Sequence, residues 1–312
     1  MGLLVDGRWH ADNGIWASSD GKFHRAESQF RSFIGEDDFP AEAGRYHLYV
    51  SLACPWAHRT LIFRKLKGLE NIIPVTVVKP HMLQSGWEFE PPEPLYSYTC
   101  AHQLYTKANA KYSGRVSVPV LWDNKLKTIV NNESSEIIRM FNSAFNDLTG
   151  NTDDYYPEAL RADIDEINAF IYEKINNGVY KCGFATEQAA YEEAFDELFA
   201  ALDEIEERLS NRQYLVGLQI TEADWRLFTT LIRFDAVYVG HFKCNRNGIS
   251  DMPNLWNYLR DLYQQPDIAE TVNFEHIKQH YYYSHASINP TRIIPKGPHL
   301  DFTLPHNRER FI

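Results

Sequence analysis

Strand signals in this chain stop at Tyr156-Pro157, and that break limits the possible folds more than any other feature. Before it, short β-branched or aromatic runs alternate with helical segments. Beyond it, apolar residues recur only at helical spacing. The expectation is two domains of different architecture, which 312 residues accommodate at the usual ~100 to 200 residues per domain.

In the first half, residues 45–51 read as a strand and residues 55–66 as a helix with Gly68 as its C-terminal cap. Residues 72–78 form a nearly continuous apolar run, the pattern of a buried parallel strand. A long segment, 79–113, carries several prolines and aromatics and a short helix near 100–107. Two strands, 118–122 and 128–130, flank the turn Asp123-Asn124-Lys125 and precede a helix that opens near Glu133 or Ser134. The order βαβ, then β, β and α, predicts a mixed sheet with helices packed on it.

In the second half, Leu160, Ile164, Ile167 and Ile171 share one helical face, and Tyr191, Phe195, Leu198, Leu202, Ile205 and Leu209 another. Further helices fit residues 222–235 and 253–263, which makes this half an all-helical bundle. Thr221 and Asp224 have the spacing of an N-terminal capping box and are assigned to folding. The expected limits are an irregular extension over 1–44 with isolated aromatics Trp9, Trp16 and Phe23, a sheet domain over 45–147, a helical domain over 157–284 and a tail over 285–312.

A net charge of -11 argues against nucleic acid, which is bound through clustered Lys and Arg. Cys54, Cys100, Cys182 and Cys244 lie far apart without a CxxC pair, so reduced thiols in a cytoplasm are expected, with no disulfide framework and no metal site. No apolar stretch reaches the ~18 residues of a membrane span, and the opening residues read neither as a secretory signal nor as a myristoylation signal.

The chemistry centres on Ser51-Leu52-Ala53-Cys54-Pro55-Trp56-Ala57-His58-Arg59. A cysteine where a helix begins faces unpaired backbone N–H groups and the positive end of the dipole, both of which favour thiolate. A free thiol with pKa about 8.5 is only a few per cent ionised at pH 7, and a downward shift of two to three units makes it mostly thiolate. A lone cysteine is also commonly a small buried hydrophobe; the proline at a strand-to-helix turn favours the reactive alternative. His58 and Arg59, one turn on, read as structural. Cys100, Cys182 and Cys244 read as structural thiols, Cys182 standing close in sequence to Tyr180.

With Cys54-Pro55-Trp56-Ala57, Val118-Pro119 before a strand and Glu133-Ser134 opening a helix, the chain resembles a cysteine-type glutathione transferase. Residues 45–51, Gly86-Trp87, residues 176–181 and residues 233–238 narrow the likeness to the xi class, the glutathionyl-hydroquinone reductases. The resemblance spans nearly the whole chain. It implies a thioredoxin-like N-terminal domain with an all-α C-terminal bundle, the glutathione transferase fold, and glutathione as co-substrate.

It also implies roles. Cys54 is the nucleophile. Val118, before a cis proline, pairs with the cysteinyl backbone of glutathione, a role for which an ordinary trans proline is the alternative on the residues alone. Glu133 and Ser134 hold the γ-glutamyl end, or merely cap a helix. Arg115 pairs with the glycyl carboxylate and Trp87 covers the peptide. Tyr180, Tyr238 and Tyr281, from three helical-domain segments, converge above Cys54: Tyr180 exchanges the ring proton, and Tyr238 and Tyr281 bind the substrate oxygen or the thiolate. Glutathionylated aromatic molecules are the expected substrates and a homodimer the expected assembly. The rivals are an omega-like thioltransferase or dehydroascorbate reductase, which lacks the tyrosine cluster, and a non-catalytic regulator of the same fold.

Overall fold

A computed structural model describes residues 2–11, 20–36 and 38–311. Trp16 lies outside the described residues. The chain forms two compact units: one takes residues 2–11, Ala26–Asp153 and Thr271–Ser287, the other residues 20–25, Asp154–Glu270 and 288–311.

The first unit opens with β1 (Gly2–Val5) and β2 (Arg8–Ala11). Residues 1–44 were expected to be irregular, yet Asp6 and Gly7 both take positive φ, 46° and 74°, as a two-residue hairpin turn requires. The Asp-Gly dipeptide is the signal for this hairpin. Then follow β3 (Tyr46–Val50), α1 (Pro55–Leu66), β4 (Val75–Val77), α2 (His102–Ala108), β5 (Gly114–Arg115), β6 (Val120–Asp123), β7 (Thr128–Asn131), α3 (Ser134–Ser143) and the single turn α4 (Asn146–Thr149).

The main sheet runs β4-β3-β6-β7. Strand β3 is parallel to β4, with Tyr49 opposite Thr76, and antiparallel to β6, with Tyr49 opposite Val120; β6 and β7 are antiparallel. All five residues of β3 are buried because it lies inside the sheet. The run 72–78 contributes only the three residues of β4, and these are half-buried because β4 is an edge strand. Asp123, at the end of β6, is locked by Arg45, whose Nε donates to Oδ2 at 2.8 Å. A second sheet runs β2-β1-β5, with Leu3 opposite Arg115.

Helix α1 stops because Gly68 takes φ +65°, the left-handed conformation that favours glycine, and Leu69 N–H then closes on Arg64 O at 2.9 Å.

The second unit is helical: α5 (Arg161–Ile171), a π-turn (Tyr172–Asn176), α6 (Gly178–Phe184), α7 (Gln188–Arg208), α8 (Glu222–Arg233), a second π-turn (Phe234–Tyr238) and α9 (Pro253–Tyr263). The capping box closes at α8, where Thr221 N–H donates to Asp224 Oδ2 at 2.8 Å. Helix α10 (Phe274–Ser284), expected in the helical domain, belongs to the first unit. Its contacts explain why: Met82 N–H donates to Ser284 Oγ at 2.9 Å, and His280 Nδ1 lies 3.0 Å from Pro80 O.

Candidate active site

In the first unit the site is made of helix starts and of the turn before a strand. Cys54 is the N-cap of α1, with extended φ and ψ of -75° and 122°, and Pro55 occupies the first helical position. Proline costs nothing there, because that N–H has no partner within a helix. Cys54 N–H donates to Ser51 O at 3.2 Å and Cys54 O accepts from His58 N–H at 3.0 Å, which fixes the turn. The thiol is half-buried, and its Sγ lies 3.4 Å from Val118 O. The Val118-Pro119 peptide is cis.

Glu133 is the N-cap of α3. Its Oε1 accepts from Ser135 N–H at 3.1 Å and from the Ser135 hydroxyl at 3.0 Å, and Ser28 Oγ lies 3.3 Å from Oε2. Burial pushes this carboxyl up. The two Ser135 bonds, with Arg59 and Arg31 nearby, outweigh that cost and hold it below its ordinary value, so it stays charged. Ser134 is buried and accepts from Arg59 Nη1 at 3.4 Å.

The Tyr105 hydroxyl, on α2, links the stretches that lead into Val118 and Glu133. It donates to Ser117 O at 2.8 Å and accepts from Asn132 Nδ2 at 3.2 Å, the residues just before Val118 and Glu133. Arg115 lies on β5, three positions before Val118, and its carbonyl accepts from Tyr112 Oη at 3.0 Å. Trp87 is buried and stacks on His280 with ring centroids 4.8 Å apart. The neighbour of His280, Tyr281, is also buried and meets His285 edge-on at 5.5 Å.

In the second unit Tyr180 on α6 and Tyr238 on the second π-turn come together, with centroids 6.2 Å apart. Tyr238 stacks on Phe242 at 5.4 Å and 13°, and Tyr180 also packs against Phe23, Phe184 and Phe242. Phe242 can approach α6 this closely because residue 183 is glycine: a Cβ there would sit 2.2 Å from the Phe242 ring. The structure thus joins Tyr180 with Tyr238 in one unit, whereas Tyr281 belongs to the other, the unit that also contains Trp87, Cys54, Val118, Glu133 and Ser134.

Residues 53–144 match the family described as glutathione S-transferase, N-terminal domain, and residues 188–261 the corresponding C-terminal domain. The chain is 55% identical to glutathionyl-hydroquinone reductase YqjG of Escherichia coli (strain K12), covering 99% of each, and 52% identical to glutathionyl-hydroquinone reductase PcpF of Sphingobium chlorophenolicum, covering 96% of each. The glutathione-bound structure of YqjG aligns with a TM-score of 0.90 at 54% identity over 99% of both chains. A xi-class transferase from Natrialba magadii aligns at 0.94 with 50% identity, over 99% of this chain and 98% of that one. This chain belongs to the xi-class glutathione transferases.

The transferase therefore has the expected fold, a thioredoxin-like unit and a helical one. Among its described residues no cluster of His, Cys, Asp or Glu could hold a metal ion, and no helix is long and apolar enough to cross a membrane. Of the two residues after the Cys-Pro turn read as structural, His58 has its Nε2 2.7 Å from Thr271 Oγ1. Arg59 reaches Ser134 and lies over the Trp56 ring at 4.5 Å. No local sequence signal marks Tyr105, since its partners Ser117 and Asn132 are brought to it by tertiary packing.

Proposed function

We propose that this transferase is a glutathionyl-hydroquinone reductase in which the Cys54 thiolate attacks the sulfur of an S-glutathionyl hydroquinone. The C–S bond breaks, and the ring carbon leaves with the electron pair and takes a proton from the Tyr180 hydroxyl. Glutathione stays on Cys54 as a mixed disulfide. A second glutathione thiolate then attacks that disulfide, releasing oxidised glutathione and restoring Cys54. No CxxC partner is present, so resolution falls to free glutathione.

The tripeptide is held at its cysteinyl backbone by Val118, at its γ-glutamyl end by Glu133 and Ser134, at its glycyl carboxylate by Arg115, and beneath the ring of Trp87. A carboxylate held ionised, as Glu133 is, suits an ammonium group. Tyr238 and Tyr281 bind the substrate oxygen or the thiolate. The protein acts as a homodimer in the cytoplasm.

The observation that supports this reading above the others is identity of 55% across the full chain with a glutathionyl-hydroquinone reductase, together with a cysteine at the N-cap of α1. Mass spectrometry after incubation with a glutathionyl hydroquinone is the test. One glutathione on Cys54, and none on Cys54→Ser, is expected; modification at another cysteine, or none with turnover intact, sinks the mechanism. Tyr180→Phe separates this reductase from a thioltransferase: quinol reduction falls by about a hundredfold, the scale of a lost general acid, while disulfide exchange remains.

A further inference from the structure

The segment 20–25, part of what the sequence offers as an irregular extension, runs along α6 of the second unit. At one end Gly21 O accepts from Thr186 N–H at 3.1 Å, just beyond the end of α6; at the other, Arg25 Nε donates to Asn177 Oδ1 at 3.2 Å, just before its start. Between them Lys22 Nζ pairs with Glu193 on α7 at 2.6 Å, and Phe23 is buried against Tyr180 and Phe184. Three separate ties therefore hold this stretch in register with the helix that carries Tyr180.

The register has a chemical consequence. The Arg25 guanidinium carbon lies 5.5 Å from the centre of the Tyr180 ring and 5.7 Å from that of Phe23. We propose that Arg25 is a positioning residue for the proton donor: its guanidinium, anchored on Asn177 and spread over the Tyr180 ring, holds the phenol in place and stabilises the phenolate left as the proton departs. The inference rests on the assignment of Tyr180 as that donor.

In the step concerned the Tyr180 O–H bond breaks, a C–H bond forms on the departing ring carbon, and negative charge develops on the Tyr180 oxygen until solvent returns a proton. A cation fixed beside that oxygen's ring before the step begins stabilises the charged product without having to reorganise. Among the described residues the ionisable groups in and around this shell include Tyr238, His241, Cys182, Cys244, Tyr191, Glu187, the Lys22–Glu193 pair and the Lys181–Glu173 pair. In both pairs the lysine is already matched by a carboxylate. Arg25 is exposed to solvent, so its charge acts through screening and the effect is modest.

The test is quinol reduction by the full-length enzyme, followed against pH and glutathione concentration for Arg25→Met, Arg25→Lys, Tyr180→Phe and Tyr180→Phe with Arg25→Met. For Arg25→Met, kcat is expected to fall about three- to fivefold, the scale of an exposed cation–π contact, with KM for glutathione unchanged. Loss of the cation raises the phenol's pKa, so the alkaline limb moves upward by about half a unit. Arg25→Lys keeps the charge and retains most of the rate.

In the Tyr180→Phe background no phenolate forms, so adding Arg25→Met changes little further. An equal fall in both backgrounds, or a change in KM with kcat intact, overturns the role of Arg25 while leaving Tyr180 in place. A Tyr180→Phe variant with full quinol reduction removes the donor assignment itself, and this inference with it.

Discussion

Glu133 and Asp224 are both carboxylates at a helix N-terminus, one in each unit, and their titration is shifted in opposite directions. Burial pushes both up. At Glu133 the Ser135 bonds and two nearby arginines, Arg59 and Arg31, prevail and the group is held below its ordinary 4.5. At Asp224, fully enclosed, burial prevails over four donors and the group is raised above 3.8. Those donors are Leu215 N–H at 3.0 Å, Thr221 N–H at 2.8 Å, Thr221 Oγ1 at 3.0 Å and Tyr258 Oη at 2.7 Å. Asp224 is the more deeply enclosed of the two, and Glu133, only half-buried, has two arginines near it beside its hydrogen bonds. A carboxylate held charged by neighbours is ready for a cationic ligand, whereas one held only by neutral donors in the core joins segments of the fold.

The largest expected effect tests the second half of that contrast. Asp224→Ala would leave the buried donors of Leu215, Thr221 and Tyr258 unpaired and is expected to destabilise the protein by roughly 3 kcal/mol or more, read by chemical unfolding. Turnover per folded molecule should stay the same. A variant as stable as the parent would mean that the four bonds contribute nothing net.

Next in size, Glu133→Gln keeps the shape of the N-cap but removes its charge. Affinity for glutathione, measured by calorimetry, is expected to fall about tenfold, the equivalent of about 1.4 kcal/mol for one charge-assisted contact, with a stability loss under ~1 kcal/mol. If instead stability drops and affinity holds, Glu133 only joins segments of the fold, as Asp224 does, and the contrast fails.

The contrast also sets opposite pH responses. Glu133 has its folded pKa lowered, so the stability it contributes is fully present above about 4.5 and is lost as pH falls through the folded value. Asp224 has its folded pKa raised, so its contribution is greatest below about 3.8 and is lost as pH rises through the folded value. Unfolding curves across pH 3 to 6 should therefore lose their acid-side decline partly in Glu133→Gln and steepen in Asp224→Ala, changes on the order of 1 kcal/mol per unit of pKa shift.

How much of this could be read beforehand depends on what sets each feature. The Cys54 turn, α1 over Pro55–Leu66, the start of α3 at Glu133, the Thr221–Asp224 box and α9 over Pro253–Tyr263 all follow from local rules, because caps and turns are chosen by residues a few positions apart. The π-turn at Tyr172–Asn176 follows α5 directly, beyond the last apolar position of the face that ends at Ile171, and no local signal marks it. Tyr281 looks like part of the helical half because α10 is a helix; it belongs with the sheet because Ser284 and His280 bind the loop at Met82 and Pro80, some two hundred residues earlier. Arg25 and Asn177 are 152 residues apart, and nothing in either neighbourhood announces the other.

The smallest effect is the sharpest probe of why Glu133 stays charged. Ser135 serves it twice, through the backbone N–H and through the hydroxyl. Ser135→Ala removes only the hydroxyl bond, so the carboxyl should move up toward its ordinary value, with Arg59, Arg31 and the backbone donor still in place. At pH 7 the group remains ionised and glutathione binding is expected to match the parent. At acid pH a larger share of Glu133 is protonated than in the parent, so binding should weaken there relative to the parent. An equal loss at both pH values would place the hydroxyl in direct contact with glutathione. No loss at either would leave the arginines and the backbone as the whole reason for the lowered pKa.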